Sequence, residues 1–251
     1  MDVETIYFCM PLVGRSASSD WNRVCLLLDQ TLKSILVQSG NIKVLVACNE
    51  IPNSSLASDS RLSFLSIQGH KPQTLQERRQ DKSKKLRRLI EEVRARGPGY
   101  VILMDADDLI SNRLVDYIRT SNNKNGYLFQ SGYLLNVAGK RFRKTRNFPT
   151  HCGTCAAFYL SHDDLAPGRE ICAIMERGRH TRYAEACEKM GRTLEKVPFP
   201  VAIYVRHHGE NISRVKHYAW TLTVRDFLRR LIPLGRINGR IRSEFSVPSH
   251  Y

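Results

Sequence analysis

Three carboxylates in four residues, Asp105, Asp107 and Asp108, follow the wholly apolar run Tyr100 to Met104 without a break. Side by side at neutral pH they repel one another, and the cluster costs stability unless a cation compensates it. Carboxylate oxygens at i and i+2 beyond a strand suit a hard divalent ion, Mg²⁺ or Mn²⁺, that also touches a diphosphate. The alternative is an Asp-rich helix cap, with Asp108 accepting the first N–H groups of the helix that follows. Upstream, Asp81, Lys82 and Lys85 stand at the beginning of a helical stretch, where free N–H groups and the helix dipole favour phosphate or a nucleotide. Asp81 and Lys85, four apart, equally suit an exposed ion pair worth about a few tenths of a kcal/mol. His151, Cys152 and Cys155 form a C-x-x-C beside a His. Zinc needs a fourth ligand and usually a second paired motif, which disfavours it here. His207 and His208 point to opposite faces if both lie in a strand, so only one of them can be a ligand.

These residues need elements to position them. Ile6 to Met10 is a short apolar run closed by Pro11 and Gly14, and Trp21 to Gln38 follows with the 3.6-residue apolar period of an amphipathic helix. Ile42 to Cys48 and Leu62 to Ile67 read as strands, Asp81 to Arg96 as a helix stopped by Gly97-Pro98-Gly99, and Tyr100 to Met104 as a buried strand. This βαβα order predicts an α/β fold with a mostly parallel sheet flanked by helices, ligands lying beyond the carboxyl ends of the strands. Past residue 110 the pattern is mixed: a helix around Leu114 to Ile118, strands over Tyr127 to Leu135, Ala156 to Leu160 and Val197 to Val205, and a helix near Arg182 to Met190. From Arg214 the chain sets eight basic residues against Asp226 and Glu244, interleaved with Trp220, Phe227, Leu228 and Ile232. That pattern is amphipathic and cationic, which suits an anionic surface or a helix docked on its own core.

The apolar strand ending in Asp105-Ala106-Asp107-Asp108 resembles the signature of the GT-A glycosyltransferases, in particular the large family-2-like group. The likeness runs over about residues 5 to 213 and includes, in order, a first strand ending in Pro11-Leu12-Val13-Gly14-Arg15, a helix containing Thr31 to Gln38, and a second strand ending in Asn49-Glu50. It implies a Rossmann-like domain over 1–213 and a basic C-terminal extension over 214–251. It also implies transfer of a sugar from a nucleotide-diphosphate donor to a hydroxyl of a glycan or lipid-linked acceptor, assisted by Mn²⁺ or Mg²⁺. Pro11, Val13, Arg15 and Glu50 become donor-site candidates, as do Asp81, Lys82 and Lys85 with Asp105 and Ala106. Gly153 and Thr154 fall in the small-residue loop where backbone approaches the donor sugar. Asp105 and Asp107 become metal ligands with His208 or His207; His208 is preferred because it opens an H-G-x-N-x-S pattern. Inverting relatives carry a catalytic Asp about twelve residues before a helix-ending Gly, and counting back from Gly191 gives Arg179 and His180 instead. An imidazole suits proton transfer near neutrality, so His180 is the candidate base, with Glu176 and Glu185 as substitutes and the anomeric outcome open.

The chain of 251 residues holds 39 Lys plus Arg against 24 Asp plus Glu, a formal charge of +15. Such a balance attracts anions, whether nucleic acid, membrane surface or phosphorylated small molecules. No zinc-finger spacing, RNA-recognition signature or base-reading helix singles out a specific nucleic acid. No apolar run approaches the length of a bilayer span and the first residues lack a secretory pattern, while seven irregularly spaced cysteines read as reduced thiols. The expectation is a cytoplasmic protein, peripheral at the inner membrane face if the basic extension meets lipid. Two rivals stand beside transfer: a sugar-phosphate nucleotidyltransferase, and a non-enzymatic binder of anionic surfaces or nucleic acid.

Overall fold

The computed structural model describes residues 4–69, 71–177, 179–206, 208–210 and 235–251. A seven-stranded sheet forms its centre, in the order β10-β6-β9-β4-β1-β2-β3. The strands are β1 (Thr5–Pro11), β2 (Ile42–Cys48), β3 (Leu62–Ser66), β4 (Gly99–Leu103), β6 (Tyr127–Leu128), β9 (Ala156–Leu160) and β10 (Glu195–Lys196). Pairing is parallel throughout except on the two sides of β9. This is the mixed α/β fold, with a mostly parallel sheet flanked by helices, that the alternating periods predict. β1, β2 and β4 are apolar almost without interruption because α1 (Trp21–Leu36) and α2 (Leu75–Arg96) cover the sheet. A second sheet, β5-β11-β7-β8, comprises β5 (Leu109–Ile110), β7 (Gly132–Asn136), β8 (Arg141–Thr145) and β11 (Ala202–Arg206). Shorter helices are α3 (Leu114–Ser121), α4 (Glu170–Arg177), α5 (Tyr183–Lys189) and α6 (Gly239–Glu244).

Four expectations are corrected. Helix α2 begins at Leu75, not Asp81: Thr74 and Glu77 form a reciprocal capping box, and the charged run after it conceals the apolar period. The stretch Tyr127 to Leu135 is two strands in two sheets, since the chain leaves β6 and enters β7 at Gly132, where a Cβ would lie 2.8 Å from the Ala202 carbonyl oxygen. Val197 to Val205 is likewise not one strand; Pro198 and Pro200 cannot donate ladder bonds, and pairing resumes only at Ala202. Asp108 does not cap the following helix, because β5 intervenes and α3 starts from Arg113.

Residues 235–251 pack against the second sheet, where Phe245 and Val247 join Leu109, Leu135, Phe142, Ile203 and Val205 in a separate small core. The amphipathic stretch around Trp220 and Phe227 lies outside the described residues, as does His207. Among the described residues no helix is long and apolar enough to cross a membrane.

Candidate active site

The carboxyl ends of β1 and β4 meet the first half of α2 around a cavity of about 300 Å³. Pro11, Leu12 and Val13 form one apolar wall, while Arg78, Asp81, Lys82 and Lys85 line the other. Their spacing of three and four puts them on a single helical face. Behind this wall the Asn49 amide is wedged between two glycines: a Cβ on Gly14 would lie 2.6 Å from its oxygen and one on Gly69 2.7 Å from its nitrogen. The amide nitrogen donates to Ile67 O at 3.1 Å, tying the ends of β2 and β3 together. Lys85, only 1% exposed, donates to Asp81 at 2.6 Å, so the ion pair is present but buried on its lysine side.

Asp105, Ala106 and Asp107 form the floor. Lys82 Nζ reaches Asp105 Oδ1 at 2.6 Å, and the pair is about two-fifths and one-third exposed. The Lys82 ammonium holds the Asp105 carboxyl below its usual range against the effect of burial, and His180 adds to that depression. His208 Nε2 stands 2.6 Å from Asp107 Oδ2, with the His208 side chain 1% exposed. His208 Nδ1 accepts the Glu210 backbone N–H at 3.4 Å, which leaves the ring proton on Nε2, facing Asp107. Glu210 in turn accepts from Ser19 N and Asp20 N, at 3.0 Å each, and from the Ser19 hydroxyl. A carboxylate at the first turn of α1 is favoured there and fixes the segment that carries His208.

Asp108 is different in kind. It is fully buried, and its Oδ2 accepts from Thr154 Oγ1 at 2.5 Å and Cys152 Sγ at 3.0 Å. Burial first, then the charges of Asp107 and Asp105, push its carboxyl well above the ordinary range. Thr154 Oγ1 also accepts the Asp105 N–H at 3.1 Å, so the 152–154 loop is pinned beneath the acidic floor. A Cβ on Gly153 would stand 3.6 Å from Asp105 Oδ2.

Asp107 offers carboxylate oxygens at the cleft floor, hard donors that suit Mn²⁺ or Mg²⁺, and His208 Nε2 would join them only by giving up the proton it directs at Asp107. Among the described residues no group of three His, Cys, Asp or Glu side chains is arranged to hold an ion. The protein would thus supply at most two ligands and leave the remainder to phosphate and water.

The other candidates are dispersed. Arg15 and Glu50 meet each other, Arg15 N donating to Glu50 Oε2 at 3.0 Å, at the rim rather than among the cleft-lining residues. His180 stands in a short 3-10 turn, His180–Arg182, with Nδ1 2.7 Å from Pro149 O. A carbonyl only accepts, so Nδ1 carries a proton, and in the neutral ring the lone pair is on Nε2. Glu176 lies 3.6 Å from Arg87 on α2, and Glu185 is exposed on α5 in a 2.8 Å pair with Lys189 that lowers its carboxyl. Cys152 donates to Asp108 and Cys155 to His180 O, and both are buried free thiols. Sequence reasoning missed Tyr204, Arg78, Arg79 and Glu210, all of which line the cleft. Only the arginines carried a local signal, lying one turn upstream of Asp81 and Lys82.

No family model matches the chain, and no curated protein matches it. Solved structures do. A 4-diphosphocytidyl-2C-methyl-D-erythritol synthase is 14% identical with a TM-score of 0.41, the match covering 92% of this chain and 99% of that one. TarS 1-349 of S. aureus, solved with UDP, is 9% identical with a TM-score of 0.45 over 80% of this chain and 60% of its own. The apo-form glycosyltransferase GlyE of Streptococcus pneumoniae is 8% identical with a TM-score of 0.38, over 82% of this chain and 55% of its own.

Proposed function

We propose that this chain transfers a glycosyl group from a nucleotide-diphosphate sugar to an acceptor hydroxyl. The observation that carries the reading is the cleft floor at the end of β4: Asp105 held by Lys82 and Asp107 held by His208, beneath a cationic face of α2 and opposite the apolar wall Pro11–Val13. A base and ribose suit the apolar wall. Arg78, Arg79 and Lys82 suit the diphosphate, whose charge they offset. Held at Asp107, Mn²⁺ or Mg²⁺ would supply neutralisation of the departing diphosphate.

In the transfer, the acceptor oxygen bonds to the anomeric carbon as the bond from that carbon to the phosphate oxygen breaks. The electron pair leaves with the nucleoside diphosphate, and the acceptor proton passes to a base. His180 is preferred for that base: Nδ1 is anchored 2.7 Å from Pro149 O, which leaves Nε2 as the ring nitrogen that can take the proton. Glu176 faces Arg87 and Glu185 is paired with Lys189, which lowers the Glu185 carboxyl and makes it a poorer proton acceptor. A protein base acting opposite the leaving group inverts the anomeric centre.

The test is a donor-hydrolysis screen across nucleotide sugars with Mn²⁺, with Mg²⁺ and with EDTA. Release of a nucleoside diphosphate from one donor supports transfer. Release of pyrophosphate from a nucleoside triphosphate and a sugar phosphate would replace it with nucleotidyl transfer. Turnover of no donor, together with a salt-dependent shift of nucleic acid, would replace it with anion binding.

A further inference from the structure

The cations of α2 that line the cleft, Arg78, Arg79, Lys82 and Lys85, are not equivalent. Lys85 is buried and tied to Asp81 within the same helix, so it belongs to the wall. Among the described residues, Lys82 alone of them pairs with an acid of the floor, its Nζ 2.6 Å from Asp105 Oδ1. Neither side chain of that pair is buried, and an ion pair left in contact with water is held weakly. Lysine is also a compact charge on a flexible four-carbon stem, able to trade one anion for another without the fixed fork of an arginine. A donor diphosphate brings a second anion into the cleft that Lys82 lines. One ammonium cannot fully neutralise both partners, so what the phosphates take, Asp105 loses. Asp105 lies two residues from Asp107 on the same floor. An uncovered Asp105 therefore adds its charge beside the carboxylate that suits a divalent ion. Conversely, an ion at Asp107 repels the Lys82 ammonium from the floor and favours its transfer to phosphate.

Building on the transfer reading, we propose that Lys82 is a shared counter-ion, resting on Asp105 before the donor enters and moving to the diphosphate when it does. Donor and divalent ion then strengthen each other's binding through this one side chain, beyond any direct contact between ion and phosphate. Such coupling is reciprocal: the factor that the diphosphate adds to the ion's affinity, the ion adds to the diphosphate's. Either ligand alone meets a site whose acid is partly covered, and the two together uncover it.

A double-mutant cycle read without metal tests the proposal. Affinities for UDP, GDP, CDP and ADP are measured by calorimetry in EDTA for wild type, Lys82→Gln, Asp105→Asn and the double variant, and the tightest of these nucleotides is compared across all four. Lys82→Gln is expected to weaken its binding. Asp105→Asn, although it removes part of the acidic signature, is expected to tighten it by about three- to fivefold, the factor that an exposed ion pair supports. In the Lys82→Gln background the same substitution should change affinity by less than about 1.5-fold, because the competition it relieves is already gone. Binding of Mn²⁺ alone, read from the EPR signal of the free ion, should tighten by about three- to fivefold in Lys82→Gln. Lys84→Gln removes an exposed charge from the same helix; there the gain should stay below about 1.5-fold, since solvent and salt screen that charge. The Asp105→Asn and Mn²⁺ effects are gains of affinity, which misfolding does not produce. Equal tightening by Asp105→Asn in both backgrounds would assign the effect to plain charge repulsion and overturn the proposal. So would no tightening, or equal Mn²⁺ gains in Lys82→Gln and Lys84→Gln. A nucleoside diphosphate that wild type and Asp105→Asn bind only with Mn²⁺ would overturn it too, and leave the donor reading standing. No nucleoside diphosphate bound under any condition would overturn the donor reading itself and the proposal with it.

Discussion

Asp107 has two competing uses for one carboxylate, the His208 ring proton and whatever occupies the cleft. Replacing it by Asn removes one charge from a site that also holds Asp105 and Asp108, so the fold loses repulsion as well as a hydrogen-bonded partner. Asp107→Asn is therefore expected to abolish transfer with the melting temperature nearly unchanged. Thermal melts with nucleoside diphosphate plus Mn²⁺, or plus EDTA, check the metal's part: wild type should be stabilised by the nucleotide far more with metal than without. Equal stabilisation in both would remove the metal from the account. At His180 the expectation separates binding from chemistry, since loss of a general base costs about 10²- to 10⁴-fold in rate. His180→Ala should keep nucleotide-dependent stabilisation and lose transfer by that factor; near-normal turnover, or a product of retained configuration, would dismiss it as the base. The acidic floor was legible because its signal is local, three carboxylates after an apolar strand. Glu210 was not, because its partners Ser19 and Asp20 lie some 190 residues away in the chain and nothing near Glu210 announces them.

The end of α1 shows an element held by a residue from another strand's approach. Arg61 donates to Leu36 O at 2.9 Å and Gln38 O at 3.2 Å, satisfying carbonyls that the helix leaves open. Asp59 holds the guanidinium through Nε at 3.0 Å and Nη2 at 2.8 Å. These hydrogen bonds draw the Asp59 carboxyl down from an ordinary value of 3.8 to about 2. A carboxyl lowered in the folded state contributes stability that is fully present above the unfolded value and lost as pH falls through the folded one. Acid unfolding between about pH 4 and pH 2 should thus be less steep in Asp59→Asn than in wild type. Identical acid limbs would show that the pair contributes nothing. Elements with long apolar periods, β1, β2 and α1, were read almost to their observed ends. The split of β6 from β7 was not legible, because Phe129 and Leu134 continue the apolar run while the chain changes sheets. Which sheet a strand joins depends on partners such as Ala202 and Phe148, far along the chain.

The described residues form two cores, and the cleft draws on both. The large core fixes Asp105 and Asp107 through β4, whereas Tyr204 and His208 depend on β11 in the small sheet, whose far face is closed by Phe245 and Val247. Phe245 is fully buried and meets Tyr133 edge-on at 5.7 Å, and Tyr133 in turn stacks on Phe142 at 4.8 Å. Deleting a buried aromatic ring costs about 3–5 kcal/mol, through lost transfer energy and the cavity left behind. In Phe245→Ala that loss falls on the smaller core, which has far fewer contacts with which to absorb it. Hydrogen exchange should therefore show β7, β8 and β11 amides losing protection while β1, β2 and β4 amides remain slow. Because β11 leads into His208, nucleotide-dependent stabilisation should fall in the same variant, although Phe245 lies on the face of the sheet turned away from Tyr204 and the cleft. Uniform loss of protection across both sheets would mean that the two cores unfold as one unit, and undiminished nucleotide stabilisation would mean that His208 is held by Glu210 and α1 without help from the small core.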